Sequence, residues 1–249
     1  MERTKVLLLV EGEKVEKDLF NHFYNLYNID NVEIVAYKTN IYAFYNRLKK
    51  DFPNGDGKID FDYIDIPLFL NDYFNLQGDQ LLNEYDFRDI ILIFDYDPQD
   101  PSYSSDILIE LITNFSNSTE LGKLYLNYPM VESFKDISSL EEDEKFELLT
   151  VPFETVKNKI GKVSEYKKMV DNKTCITNIS DINVEMGNKL LNLHASKLKL
   201  IIGEGVEEEK KYRNLCVLQC YKFDAEKLIW VINTSILHML DEYGLISPK

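Results

Sequence analysis

Long apolar runs are missing from this 249-residue chain. The longest near its start, Val6 to Val10, is five residues, against the roughly 20 that a bilayer-spanning helix needs. It stops at Glu11, too short for the core of a secretory signal. The expectation is a cytoplasmic protein with no membrane partner. Cysteine is scarce as well. Cys175, Cys216 and Cys220 are an odd set with no CxxC pair, which excludes a disulfide framework and a zinc ribbon. Cys216 and Cys220, four apart, share one face of a helix and read as buried thiols. His22, His194 and His238 are scattered without metal-ligand spacing. The sequence GDGK at 55–58 lacks the spacing and the Ser or Thr of a phosphate-binding loop. With no ATPase motif elsewhere, any nucleotide-driven control would come from a separate ATPase or sensor protein.

Positive charge is the other shortage. Lys and Arg number 28 against 43 Asp and Glu, a formal net of −15, which on the sum alone argues against a polyanion partner. The distribution qualifies that. Between Asp51 and Glu110 fifteen acids face only Lys58 and Arg88, a local net of −13. Bound divalent cations would reverse the field in such a segment.

What is abundant is material for a core: 45% hydrophobic residues, with sixteen Tyr and fourteen Phe. The first half alternates apolar runs with helix-like stretches. Lys5–Val10, Val32–Tyr37, Phe61–Ile66, Asp89–Phe94 and Lys123–Asn127 read as strands. Val15–Tyr27, Ile41–Lys50, Gln80–Tyr85 and Ile107–Phe115 read as helices. Strands separated by helices imply an α/β layer fold with a mostly parallel sheet. Beyond about residue 135 helical spacing dominates, at Glu141–Leu149, Thr155–Val170, Val184–Leu200 and Ala225–Tyr243. The expected division is residues 1–137, α/β, and 138–249, mainly helical.

Two apolar strands end in acids. One runs into Val10-Glu11-Gly12, with Glu16 one helical turn on; the other runs into Asp95-Tyr96-Asp97. Parallel strands present their C-terminal ends on one edge, where open α/β folds hold ligands. Adjacent strands would therefore bring Glu11 to Asp95 and Asp97. Magnesium takes oxygen ligands and binds through one or two carboxylates plus substrate phosphate. A pair of such ions can clamp an in-line phosphoryl displacement. Carboxylates alone would repel a phosphodiester, so the chemistry requires Mg²⁺ or Mn²⁺.

The order strand-VEG-helix followed by strand-DYD resembles the TOPRIM domain of topoisomerases, bacterial primases, OLD-type nucleases, ribosomal RNA maturases and RecR. That resemblance implies a Rossmann-like sheet flanked by helices, Glu11 as general acid/base, and Asp95 and Asp97 as magnesium ligands. The stretch EGEKVEKDLF at 11–20 is similar to the RloB-like branch found beside restriction and phage-defence loci. The branch also carries a P-x-x-E-x-aromatic segment, which Pro129 to Phe134 matches, nominating Glu132; Glu11, Asp95, Asp97, Glu16 and Glu132 are then the candidate metal-binding acids. The resemblance covers roughly residues 5–134 and implies a metal-dependent endonuclease acting on RNA or DNA in antiviral defence. Asp100, three residues after Asp97, reads as structural. For nucleic-acid contact the basic candidates are Lys157, Lys159, Lys162, Lys167 and Lys168, with Lys197 and Lys199 farther on.

The length argues against a topoisomerase with strand-passage domains, and the missing zinc-binding cysteine set against a primase. A haloacid-dehalogenase-type phosphatase would need Thr or Val where Gln99 stands. A RecR-like binding module without catalysis is the alternative, and it has no use for Glu11, Asp95 and Asp97 together. The oligomeric state is left open, a homodimer included.

Overall fold

The alternation of apolar runs and helical stripes builds a parallel sheet with helices against it. The computed structural model describes residues 5–141, 143–157 and 164–245. In chain order the α/β part contains β1 (Lys5–Val10), α1 (Val15–Leu26), β2 (Val32–Ala36), α2 (Ile41–Asp51) and α3 (Ile66–Phe74), then β3 (Phe87–Asp95), α4 (Ser105–Asn114), β4 (Ser116–Asn117) and β5 (Gly122–Asn127). The five-stranded sheet has the order β2-β1-β3-β5-β4, with only β4 antiparallel. β1 lies inside the sheet, paired on both edges. Its Leu7, Leu8 and Leu9 are fully buried, each worth about 2 kcal/mol of burial.

The remainder holds α5 (Asp143–Glu147), β6 (Thr150–Pro152), α6 (Phe153–Val156), α7 (Glu165–Lys173), α8 (Val184–Ile202), α9 (Lys211–Glu226), β7 (Leu228–Trp230) and α10 (His238–Tyr243). β6 and β7 form a small antiparallel ladder. The division near 137/138 separates element types but not cores. A single apolar cluster runs through both parts. Phe223 of α9 meets Tyr96 at 6.1 Å, and Tyr212 meets Tyr125 at 4.8 Å between ring centroids. Tyr128 and Ile232 exchange backbone hydrogen bonds of 2.9 and 2.8 Å, extending the end of β5 into the C-terminal segment.

Several sequence expectations give way to local chemistry. Thr155–Val170 is not one helix: α6 ends at Val156 and α7 starts at Glu165, with 158–163 outside the described residues. Phe61–Ile66 is not a strand: Phe61–Tyr63 is a 3-10 turn and Ile66 already begins α3. The Asp65 carboxylate caps the Leu68 amide at 2.7 Å, and Pro67 sits in the first turn, where its missing N–H costs nothing. Gln80–Tyr85 contains two 3-10 turns, Gly78–Gln80 and Glu84–Asp86, around extended residues. Ala225–Tyr243 is broken because Lys227 takes a left-handed conformation (φ 56°) that ends α9 before β7 starts. Cys216 and Cys220 are buried and free on α9. Among the described residues no helix is long and apolar enough to cross a membrane.

Candidate acidic site

The register between β1 and β3 decides where the carboxylates meet. Val10 pairs with Ile93, and the ladder continues one step beyond, with the Glu11 amide donating to the Ile93 carbonyl at 3.1 Å. On the other edge the Lys38 amide donates to the Glu11 carbonyl at 2.9 Å. Glu11 is thus held by backbone on both sides, at the same sheet edge as Asp95. Its Oε2 accepts the Asp95 amide at 3.1 Å.

Past Asp95 the strand ends. Tyr96 turns into the core, where its hydroxyl meets that of Tyr103 at 2.9 Å and its carbonyl accepts the Tyr42 hydroxyl at 2.8 Å. Asp97 lies near enough for its charge to raise both Glu11 and Asp95. Asp97 has a left-handed backbone (φ 46°), tolerated by Asp, and Gln99 donates to its Oδ1 at 2.7 Å. Asp100 adds its charge to those that raise Asp97, but its carboxylate is committed to the loop. Its two oxygens accept from Asn40 Nδ2 at 2.6 Å and the Ser102 amide at 2.7 Å, tying the loop to the start of α2.

Two more acids join. Glu16, in the first turn of α1, folds back so that its Oε1 accepts the Gly12 amide at 3.1 Å. A Cβ on Gly12 would stand 2.4 Å from Glu16 Oε2, so glycine is required here for close approach rather than for a positive φ. Glu132 enters from a 3-10 turn, Val131–Lys135, and is 7% exposed. Its Oε1 pairs with Lys167 of α7 at 2.7 Å, while Oε2 is buried without a hydrogen-bond partner.

Electrostatics bind these residues into one group. Burial, then the charges of Asp97 and Glu16, push the Glu11 carboxyl up to about 8. Asp95 is raised well above the usual carboxylate range by burial and by the charges of Glu11, Glu16, Glu132 and Asp97. Glu16 and Asp97 are raised too, in both cases mainly by burial. Lys167 is the counterweight. Burial opposes its charge, but Glu132, Asp95 and Glu16 outweigh that and raise its pKa. Raised carboxylates crowded at the ends of two strands mark a site that lacks cationic charge.

Comparison with family models, with curated proteins and with solved structures returns no match. The local chemistry must therefore carry the reading. Among the described residues no three His, Cys, Asp or Glu stand ready in metal-ligand geometry. The hydrogen bonds explain this, because most of the acids are turned toward an internal donor: Glu11 to the Asp95 amide, Glu16 to the Gly12 amide, Asp97 to Gln99 and Glu132 to Lys167.

The expected acids Glu11, Glu16, Asp95, Asp97 and Glu132 are brought together, whereas the lysines share no common environment. Lys167 lies among the acids, paired with Glu132 and partly exposed. Lys197 is a correction: it is fully buried, donating to the carbonyls of Phe146 and Leu149 at 2.7 and 2.6 Å, and cannot reach an external phosphate. Lys157 is exposed, paired with Glu154 at 2.7 Å. Lys199 pairs with Glu204 at 3.0 Å, and Lys168 is exposed. Lys159 and Lys162 fall outside the described residues.

One supporting residue was not singled out from sequence. Asn127, fully buried at the end of β5, directs its Nδ2 toward Asp95 Oδ1 at 3.4 Å and accepts the Ser235 amide at 3.2 Å. An amide ending an apolar strand, as in KLYLN, was the available signal. Through Ser235, and through Asn233 donating to the Val131 carbonyl at 2.9 Å, the C-terminal segment braces both Asp95 and the turn that bears Glu132.

Two predictions arise from these contacts. Gly12→Ala should displace the Glu16 carboxylate while leaving the fold intact, since the colliding atoms end a flexible side chain. Unfolding midpoints within a few degrees of wild type, with weakened divalent-cation binding by calorimetry, are the expected result. Lys197→Met should destabilise the protein by about 1–3 kcal/mol, the cost of stranding buried acceptors. Burial lowers the Lys197 pKa from 10.5 to about 7. The unfolded chain therefore binds more protons between those values, and this residue's contribution to stability rises with pH across that window. Denaturant unfolding of both proteins across the window measures it.

Proposed function

We propose that the chain is a TOPRIM-like, divalent-metal-dependent nuclease that hydrolyses phosphodiester bonds in RNA or DNA. The observation that carries this reading is the convergence of five acids from three separated stretches of chain, with Lys167 the lysine paired among them. The donor set fits magnesium or manganese: it is all oxygen, it is short of positive charge, and Glu132 keeps a buried oxygen without a partner. Asp95 and Asp97 are the residues that would hold the cation, with Glu16 and Glu132 completing the acidic wall. A bound divalent ion supplies charge neutralisation for the phosphodiester and acidifies a water.

The chain's own groups supply the rest. In the metal-free site Glu11 Oε2 accepts the Asp95 amide, which leaves Oε1 to carry the proton that burial and the neighbouring acids favour. A carboxyl poised near neutrality is suited to passing a proton to or from a reacting oxygen. Lys167 offsets the negative charge of Glu132 and its neighbours and keeps an ammonium at the rim of the site. The antiviral role rests on the RloB-like resemblance of residues 11–20 and 129–134, with a separate ATPase or sensor as its partner. Cleavage of RNA and DNA oligonucleotides in Mg²⁺ or Mn²⁺, against EDTA, tests the activity. Glu11→Gln keeps the acceptor for the Asp95 amide and removes the titrating proton, and should lower the rate about a hundredfold or more. Full activity in that variant would overturn the assignment of Glu11.

A further inference from the structure

A cavity of about 700 Å³ has Glu132 of the acid cluster and its partner Lys167 in its wall. It runs between α1, the turn Val131–Lys135, α7 and the segment 176–180. We infer that this groove receives an unpaired nucleotide next to the scissile phosphate, making the substrate a single-stranded stretch of polynucleotide. The inference rests on the nuclease reading and names the substrate class of the same site.

Three observations support it. First, the groove's lysines are paired from within. Lys135 pairs with Asp171 at 2.7 Å and Lys167 with Glu132 at 2.7 Å, and Asp18 adds a further carboxylate, leaving no surplus of cations for a backbone. A groove of that kind suits the neutral part of a nucleotide. Second, its rim is built of small neutral groups that both donate and accept: Asn21 and Asn25 on α1, opposite Thr177, Asn178 and Ser180, all exposed. Amides and hydroxyls of this type pair with unmated base edges. Half-buried Val15 and Ile179 add aliphatic surface on which a flat ring can lie. Third, Glu132 and its partner Lys167 both line this wall, so the groove and the acid cluster share a side chain. A base seated in the groove would direct its phosphate toward Glu132 and Lys167. A duplex keeps its base edges paired and stacked, and cannot present them there.

The two faces are fixed relative to each other. His22 Nε2 on α1 donates to the Ile182 carbonyl at 2.7 Å, fastening the helix to the chain just beyond 176–180.

The test measures anisotropy of fluorescein-labelled single-stranded RNA, single-stranded DNA and blunt duplex of one sequence, in Ca²⁺, with the full chain. Variants Asn21→Tyr and Asn25→Tyr fill the groove from exposed helix positions, and their unfolding midpoints confirm the fold. At least one single-stranded probe should bind about tenfold or more tighter than duplex. Each filling variant should remove that preference, the loss expected for one displaced base. Equal affinity for duplex, or a preference that survives both filling variants, overturns the proposal. Cleavage of the same probes by the wild-type chain in Mg²⁺ separates the two readings. Base preference without Mg²⁺-dependent cleavage would count against catalysis alone, whereas cleavage indifferent to strandedness would count against the groove alone.

Discussion

Asp95→Ala should lower metal-dependent cleavage by about a thousandfold or more, with the fold retained. The effect is large because Asp95 is where the interactions of the site meet. It feels the charges of Glu11, Glu16, Glu132 and Asp97, and its own amide holds the Glu11 carboxylate. Alanine keeps that amide, so Glu11 stays in place while the ligand disappears. Losing one group that stabilises developing charge in a preorganised site costs about 10²–10³, and losing a metal ligand removes the ion's contribution as well. Asp100→Ala is the internal control. Its carboxylate serves Asn40 and the Ser102 amide, so the change should loosen the loop and alter the rate by less than about tenfold. Single-turnover cleavage by both variants checks the contrast. An equal loss in the two would place Asp100 in the site and remove the distinction drawn between these aspartates.

Asp95→Asn should stabilise the metal-free protein, with a midpoint gain of about 5 °C near pH 8 for a chain of this size. Burial and mutual repulsion make these carboxylates costly in the folded state. Glu11 shows the sign. Its folded pKa is about 8 against 4.5 for the free side chain, so between those values the folded state holds a proton that the unfolded state has released. Stability then falls as pH rises through the window. Removing one of the repelling charges should flatten that slope, and the gain should fade toward pH 4.5. Mg²⁺ or Mn²⁺ should do the same work in wild type, raising the midpoint more at pH 8 than at pH 5.5, because the ion binds the deprotonated cluster. The variant should lose most of that response. Thermal unfolding in EDTA and in metal, at both pH values, measures all four quantities.

The sheet was legible because continuous apolar runs such as KVLLLV and DIILIF suit few environments other than a strand covered on both faces. The acids were legible for a related reason: Glu11 and Asp95 follow those runs directly, and the parallel β1–β3 register then sets them on one edge. Periodicity misled where short-range chemistry decided the outcome. An aspartate cap and a proline in the first turn made α3 begin where a strand was expected, and one left-handed residue, Lys227, divided the last helical stretch. Lysine roles were the least legible. Lys167 and Lys197 lie in similar helical sequence, yet one reaches carboxylates and the other two backbone carbonyls. Which of these occurs depends on how the second half packs against the first, and spacing along a helix does not encode that.

The most direct measurement is an anomalous difference map from crystals of the wild-type chain soaked in Mn²⁺. A peak bounded by the carboxylates of Asp95 and Asp97, with Glu11 beside it and the side chains turned from their internal donors, is the predicted result. A map with no peak at this edge of the sheet, at manganese concentrations that support cleavage, would contradict the claim that these acids hold the catalytic ion.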